Sequence, residues 1–325
     1  MKNNNVVIIR NDTDKPKHGF KRKTIVQNIK NKMNKWIASI EDEELRKRVK
    51  YDYIVTGGAI TSMLLGELPN DYDVYFKTPQ VALDITNYYI GKVNPNGKVS
   101  KVEAKLKDDR VVIMIKSAGI IRSENDNFDG YDYFEATNGV NIESYLDKES
   151  FKDKKYYTIA MISSNAISLH GDIQLITRFI GDPEEIHKNY DFVHVTNWFT
   201  EDSGLVLNDK ALESILAKEL RYVGSLYPIC SLFRVRKFLQ RGFTITAGEI
   251  LKISYDISKL DLNDMNVFME QLCGVDAAYF HEIIEILKKN SDRPLDRSYL
   301  HELINRVFDE TNNETDEFHD FIDNE

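Results

Sequence analysis

The 325-residue chain has only two cysteines, Cys230 and Cys273, and neither has a further ligand at the spacing of a zinc site. That scarcity argues against a disulfide framework and against a structural zinc, and both are expected to be buried thiols. Nowhere do eighteen apolar residues run together, so no membrane-crossing helix and no membrane partner are expected. The opening residues, Met1-Lys2-Asn3-Asn4-Asn5, lack the apolar core and cleavage site of a secretory signal, which makes the cytoplasm the expected location. Also missing are a G-x-x-x-x-G-K-[ST] phosphate loop and any legible Ser/His/Asp or Cys/His nucleophile arrangement. Their absence disfavours P-loop ATPases and covalent hydrolases.

What is present is ordinary globular material, with 42% hydrophobic and 29% charged residues, enough for a packed core in each of two domains. The formal net charge is −9, but the stretch from Asp309 to Glu325 holds eight acids and no Lys or Arg. The rest therefore carries about −1, and a nucleic-acid partner is not excluded by charge.

Residues 11–35 are rich in Lys and Arg, and Ile25, Ile29, Met33, Trp36 and Ile40 share one helical face. A solvated basic helix is the favoured reading. From Tyr51 the pattern turns to short β-rich runs at 51–56, 71–76, 99–106 and 110–115. A short helix at 59–65 and another opening at Thr78-Pro79 alternate with them, which implies an α/β arrangement. Residues 117–156 are polar and read as an insertion or loop. Further strands are expected at 157–162, 165–169, 173–179 and 191–199, with a helix starting after Asp182-Pro183. Helical periodicity then takes over at 210–222, 229–240, after a Thr246/Glu249 capping box, and at 263–272, 277–288 and 295–308.

The strongest local signal is Val55-Thr56-Gly57-Gly58-Ala59-Ile60-Thr61-Ser62, followed by Asn70-Asp71-Tyr72-Asp73-Val74. A strand that ends in Gly-Gly and flows into a helix lets backbone approach phosphate oxygens, and helix-end N–H groups favour their charge. Thr61 or Ser62 adds a hydroxyl. Because strand side chains alternate, Asp71 and Asp73 should leave one face together while Tyr72 and Val74 leave the other. Two converging carboxylates repel unless a hard cation such as Mg²⁺ lies between them.

Gly-Gly, then Asp-x-Asp-hydrophobic at this distance, resembles the signature of the DNA polymerase β-like nucleotidyltransferase superfamily. With Leu65-Gly66 before Asp71-Tyr72-Asp73 it is similar to the head of tRNA CCA-adding enzymes and bacterial poly(A) polymerases, with Thr61-Ser62 where that head carries Arg-Asp. The run Arg178-Phe179-Ile180-Gly181-Asp182-Pro183-Glu184-Glu185-Ile186 leading to Tyr190-Asp191-Phe192 looks like nucleotidyltransferases of tailed bacteriophages. So does the stretch from Ala211 through Phe238.

The resemblance implies an α/β (α+β) fold: a mixed-sheet nucleotidyltransferase domain over 50–204, then a helical domain over 205–308. A basic segment at 1–49 and an acidic, disordered tail at 309–325 flank them. It implies transfer of a nucleoside monophosphate from an NTP, with Mg²⁺ or Mn²⁺ held by Asp71, Asp73 and a third carboxylate. Asp191, opening a strand, is carried over for that third position, with Asp172 the competitor. Gly57, Gly58, Thr61 and Ser62 would hold the nucleotide; helical spacing adds a basic face with Arg234 and Lys237, joined by Lys218 and Arg221, to hold triphosphate or an RNA backbone, with a solvated face as the alternative. Arg234, Lys237 and Arg241 share one helical face, and Leu232, Val235 and Leu239 share another that should pack inward. His194, three residues past Asp191, is expected to be structural, with metal ligation or proton transfer as the alternatives. The acceptor is an RNA such as a tRNA 3′ end, or else a protein or small molecule; a non-catalytic nucleotide-binding protein is the remaining alternative. A phage-encoded version would act in the host cytoplasm.

Overall fold

The computed structural model describes residues 8–9, 17–93, 102–107, 110–116, 133–135, 140–141, 157–162 and 165–262, with single or paired positions between 264 and 301. The helices expected at 277–288 and 295–308, the acidic tail, and most of the expected insertion at 117–156 lie outside the described residues, apart from a few positions. No helix among the described residues is long and apolar enough to cross a membrane.

A two-residue pair, β1 (Ile8–Ile9) with β2 (Lys17–His18), precedes α1 (Arg22–Ala38) and α2 (Glu43–Asp52). The basic N-terminal helix folds as its periodicity predicts, with Ile25, Ile29, Met33, Trp36 and Ile40 all fully buried. Each such side chain stabilises the fold by roughly 1.5–3 kcal/mol. Trp36 is one of the largest of them, and its indole N–H donates to the Tyr89 hydroxyl at 2.9 Å, so its burial leaves no polar atom stranded. Helix α2 has no counterpart among the sequence-based expectations; Asp42 caps it by accepting from the Leu45 N–H at 2.9 Å.

The chain then runs through β3 (Tyr53–Thr56), α3 (Gly58–Leu64), β4 (Tyr72–Phe76) and α4 (Pro79–Val93). After these come β5 (Val102–Lys107), β6 (Arg110–Lys116), β7 (Tyr133–Glu135), β8 (Val140–Asn141), β9 (Ile159–Ile162), β10 (Ala166–Leu169) and β11 (Ile173–Ile180). Helix α5 (Pro183–His187), β12 (Trp198–Thr200) and β13 (Gly204–Val206) complete the sheet region. The main sheet has the order β13-β12-β3-β4-β11-β10-β9-β8, and β5-β6-β7 form a separate three-stranded sheet. It is a mixed sheet: β3 and β4 are antiparallel, whereas β4 and β11 run parallel with Ile173 beside Tyr72, Gln174 beside Asp73 and Leu175 beside Val74.

Alternation sorts these strands into two faces. Tyr53, Val55, Tyr72, Val74, Phe76, Ile173 and Leu175 join the large core that contains residues of α1 to α4. Ile54, Tyr75 and Ile176 lie on the opposite face, in a smaller cluster with Ile186 of α5. The same large core continues through Phe192, Ile215, Tyr222, Phe238, Phe243 and Ile253. These residues lie on or beside α6 (Asp209–Ala217), β14 (Glu219–Leu220), α7 (Pro228–Gln240), β15 (Thr244–Ile245) and α8 (Ala247–Ile257).

Three expectations are corrected here. The helix read over 210–222 stops at Ala217, because Lys218 adopts a left-handed φ of 49° and the chain then pairs β14 with β15 in parallel. The boundary drawn at 204 falls inside β13, which pairs with β12. The strand read over 191–199 is instead a bridge at Phe192, a 3-10 turn at Val193–Val195 and the short β12, because Phe192 pairs with Tyr222 outside the main sheet.

Candidate functional site

Where β3 ends, Gly57 takes φ 90° and ψ −146°, a conformation side-chain-bearing residues rarely adopt. Its N–H donates to the Val195 carbonyl at 3.2 Å. A Cβ added there would sit 2.9 Å from Asp73 Oδ2 and 3.6 Å from the Tyr190 hydroxyl. Glycine is thus what lets the end of β3 lie against the Asp73 carboxylate. Gly58 opens α3 and faces open space: a Cβ added to it would meet no atom within 4 Å.

Asp73 stands across from Thr56 on β3 and beside Gln174 on β11. Asp71, Asp73 and Tyr75 all line one cavity of about 150 Å³, while Tyr72, Val74 and Phe76 are buried in the core behind them. Two carboxylates two residues apart therefore face one space, the arrangement that alternation predicts. Gly57 and Gly58 line it too.

The rest of the wall comes from later in the chain. Helix α7 brings Arg234, Lys237 and Phe238, and the segment after α5 brings Asn189, Tyr190 and Asp191. Arg234 Nη1 donates to Asp191 Oδ2 at 2.7 Å, and Asp191 is only 5% exposed. A guanidinium paired this way is held in place by a partner that cannot escape to water. The Tyr190 ring centre is 6.1 Å from that of Tyr75 and 5.0 Å from that of His187. Its buried hydroxyl lies near those of Tyr75 and Thr56 but makes no hydrogen bond of ordinary geometry. Burial, followed by the Asp73 charge, raises the Tyr190 phenol, so it keeps its proton. Burial pushes the His187 imidazole down to about 4, leaving it neutral near pH 7, with Nε2 2.8 Å from the Thr56 hydroxyl.

Of the residues expected from sequence, Gly57, Gly58, Asp71, Asp73, Asp191, Arg234 and Lys237 meet at this cavity. The others do not. Thr61 is fully buried and donates to the His194 carbonyl at 2.9 Å, so its hydroxyl ties α3 to the 3-10 turn. Ser62 accepts from Arg241 at 3.0 Å, and that same guanidinium pairs with Glu67 at 2.6 Å. Lys218 reaches the Arg241 carbonyl at 3.4 Å and closes the C-terminal end of α6. Asp172 sits at a turn with φ 54°, and its exposed carboxylate pairs with Lys32 at 3.0 Å. His194 is a core residue, its ring 4.2 Å from Phe238 and 5.0 Å from Phe243, with both ring nitrogens unpartnered. Leu232 and Leu239 do not pack inward; they are 42% and 45% exposed, because α7 turns Arg234 and Phe238 toward the sheet.

Among the described residues no group of three or more His, Cys, Asp or Glu is placed to hold a metal ion. Asp191 thus does not complete a three-carboxylate set: its carboxylate is engaged by Arg234. What the cavity offers a hard divalent cation is the Asp71 and Asp73 pair. Sequence reasoning overlooked Tyr190, Gln174, Phe179 and Tyr227 in the wall. Tyr190 was legible only as the neighbour of Asp191, and Gln174 only through a sheet register that no local pattern encodes.

A mixed sheet with Asp71 and Asp73 at the start of β4, and a helix that turns Arg234 and Lys237 toward the same cavity, defines an α/β protein with a charged cleft. More specifically, the chain belongs to the Gabija anti-defense 2 family, whose family model matches residues 27–218. A relative, Gabija anti-defense 2 of Bacillus phage SPbetaL7, is 21% identical over 290 residues, covering 85% of this chain. The chain spans 58% of that relative's length. Among solved structures it is similar to the Thermotoga maritima CCA-adding enzyme complexed with tRNA, at 13% identity and a TM-score of 0.37, over 79% of this chain and 60% of that one. It is also similar to the Bacillus stearothermophilus CCA-adding enzyme in complex with CTP, at 14% identity and a TM-score of 0.33, over 78% of this chain and 51% of that one. At such scores the reading of the site rests on the geometry of the chain's own residues.

Proposed function

We propose that the protein is a divalent-cation-dependent nucleotidyltransferase that moves a nucleoside monophosphate from an NTP to an acceptor hydroxyl. One observation carries the reading: Asp71, Asp73 and the Gly57 turn share a single cavity with Arg234 and Lys237. The fit to a cation is supported by the chemistry of the pair and by the close approach of Gly57 to Asp73. Mg²⁺ or Mn²⁺ held there would neutralise phosphate oxygens and favour ionisation of an attacking hydroxyl.

The chain's own residues supply the rest. Arg234 and the exposed Lys237 bind the polyphosphate, the first as a fixed fork and the second as a mobile charge. Gly57 and Gly58 leave the backbone open to phosphate. In the transfer, the acceptor oxygen bonds to the α-phosphorus as the bond from that phosphorus to the β-bridging oxygen breaks. Pyrophosphate leaves with its electron pair, and the hydroxyl proton passes to solvent. The acceptor we favour is an RNA 3′ end, with a protein or small molecule as the sibling reading. The family name and the phage relative's name speak of action against a defence called Gabija; in this chain we take nucleotidyl transfer as the means of that action.

The test is incubation of the purified chain with each of the four α-labelled NTPs, Mg²⁺, and separate RNA and protein fractions. Label is expected in RNA and should vanish with Asp73→Asn. Label that survives Asp73→Asn refutes the assignment, and label confined to protein refutes the RNA acceptor. A second reading, nucleotide binding without transfer, is favoured by the missing three-carboxylate group among the described residues. It would be upheld by calorimetric NTP binding with no labelled product from any fraction.

A further inference from the structure

We infer that this site works with one resident divalent cation, and that the Arg234 guanidinium, locked by Asp191, takes the place of a second. The inference rests on the nucleotidyltransferase reading of the cavity and concerns how many cations that cavity can hold.

The strand register is the first support. In the parallel pair of β4 and β11, Gln174 is the residue beside Asp73, and both line the cavity. That place would bring a third carboxylate to the metal, and it holds a neutral amide, which supplies a dipole but no charge to offset a dication. Its neighbour Asp172 is turned away at a left-handed turn, where it pairs with Lys32.

Asp191 is the second support. It is the remaining carboxylate of the cavity wall, and its Oδ2 is 2.7 Å from Arg234 Nη1 in a nearly buried pair. A dication at Asp191 would have to displace a guanidinium already bound there or sit beside it, and like charges in so dry a place repel strongly. Consistent with this, no three acidic, imidazole or thiol groups cluster for metal binding among the described residues.

Arg234 is placed to do what a second cation would do. It lines the same cavity as Asp71, Asp73, Tyr75 and Tyr190, with its guanidinium held by Asp191 at 2.7 Å. A planar guanidinium held by a carboxylate can present a further N–H edge to a phosphate oxygen, and it needs no reorganisation as charge builds during transfer.

The experiment counts cations directly. The whole chain is titrated with Mn²⁺ by electron paramagnetic resonance, in the presence of an α,β-methylene NTP that binds but cannot react. One Mn²⁺ per chain is expected for the natural sequence and two for Gln174→Glu, which installs the missing carboxylate in a half-buried position. Arg234→Lys keeps the charge but loses the fork; it should leave the count at one, while transfer at saturating Mn²⁺ and saturating nucleotide falls about 10²-fold. Two Mn²⁺ in the natural chain would overturn the inference and leave the transferase reading standing. Gln174→Glu remaining at one would overturn the part assigned to residue 174, and an unimpaired Arg234→Lys the part assigned to the guanidinium. If neither Mn²⁺ nor the analogue binds, the transferase reading itself fails and this inference with it.

Discussion

Gly57→Ala should damage both the fold and the site, and the structure gives the size of each effect. At φ 90° and ψ −146° an alanine is strained by roughly 1–3 kcal/mol. Its Cβ would also lie 2.9 Å from Asp73 Oδ2, closer than real Cβ contacts come, so either the carboxylate or the end of β3 must move. Together these predict a loss of about 2–4 kcal/mol, which corresponds to a melting point lower by roughly 3–6 °C for a chain of this size. A carboxylate displaced by about 1 Å should lower nucleotidyl transfer by about 10²-fold. The neighbouring Gly58→Ala is the control for stability. It is inside α3, meets no atom within 4 Å, and should be neutral or more stable by about 0.5–1 kcal/mol. Calorimetric melting of both variants, with Mg²⁺-dependent NTP binding measured alongside, separates the two. A Gly57→Ala chain that melts with the natural one and binds NTP normally would refute the claim that this glycine makes room for Asp73.

Three other outcomes follow from the same geometry. Thr61→Val removes a buried hydroxyl that satisfies the His194 carbonyl, so urea unfolding should show a loss of about 1–3 kcal/mol while NTP affinity stays unchanged; weakened NTP binding at constant stability would instead put Thr61 at the nucleotide. Burial, helped by Arg241, lowers the folded His194 pKa from 6.5 to about 3, so the unfolded chain binds the proton first as pH falls. Stability from this residue is complete above pH 6.5 and declines toward pH 3, by about 2 kcal/mol at pH 5; urea midpoints of His194→Leu should lose that part of the acid sensitivity. Asp191→Asn strands Arg234 beside a buried amide and should cost about 3 kcal/mol, whereas Asp191→Asn with Arg234→Gln should recover part of it, a coupling read from a double-mutant cycle.

The parts of this molecule that were legible in advance are those set by short-range periodicity. Alternation along 71–76 places Asp71 and Asp73 in the cavity and Tyr72 and Val74 in the core, and a 3.6-residue repeat buries one face of α1. Gly57 and Gly58 were legible as a turn because few other residues suit its backbone. What stayed hidden depends on partners far along the chain. Gln174 is beside Asp73 only because β11 joins β4 in parallel, about a hundred residues later. Residues 191–199 have the aromatic and β-branched composition of a strand, yet Phe192 pairs with Tyr222 and the backbone turns before β12 begins. Thr61 has the chemistry of a phosphate ligand and the position of a core tie, and composition cannot separate the two.

The orientation of α7 shows how such a long-range choice decides the chemistry. Hydrophobic patterning alone would bury Leu232 and Leu239 and leave Arg234 in water; the structure leaves both leucines largely exposed and turns Arg234 to Asp191. At the other end of the helix, Arg241 reaches Ser62 inside α3 and Glu67 just past it. Between these two anchors Phe238 enters the core that α1 began, and Lys237 is left facing the cavity. One of these anchors, Arg234 with Asp191, belongs to the cavity, and β4 and α7 share one packed core. A cavity built in this way has its Arg234 guanidinium fixed by the protein itself, which is the preorganisation that the proposed transfer would draw on.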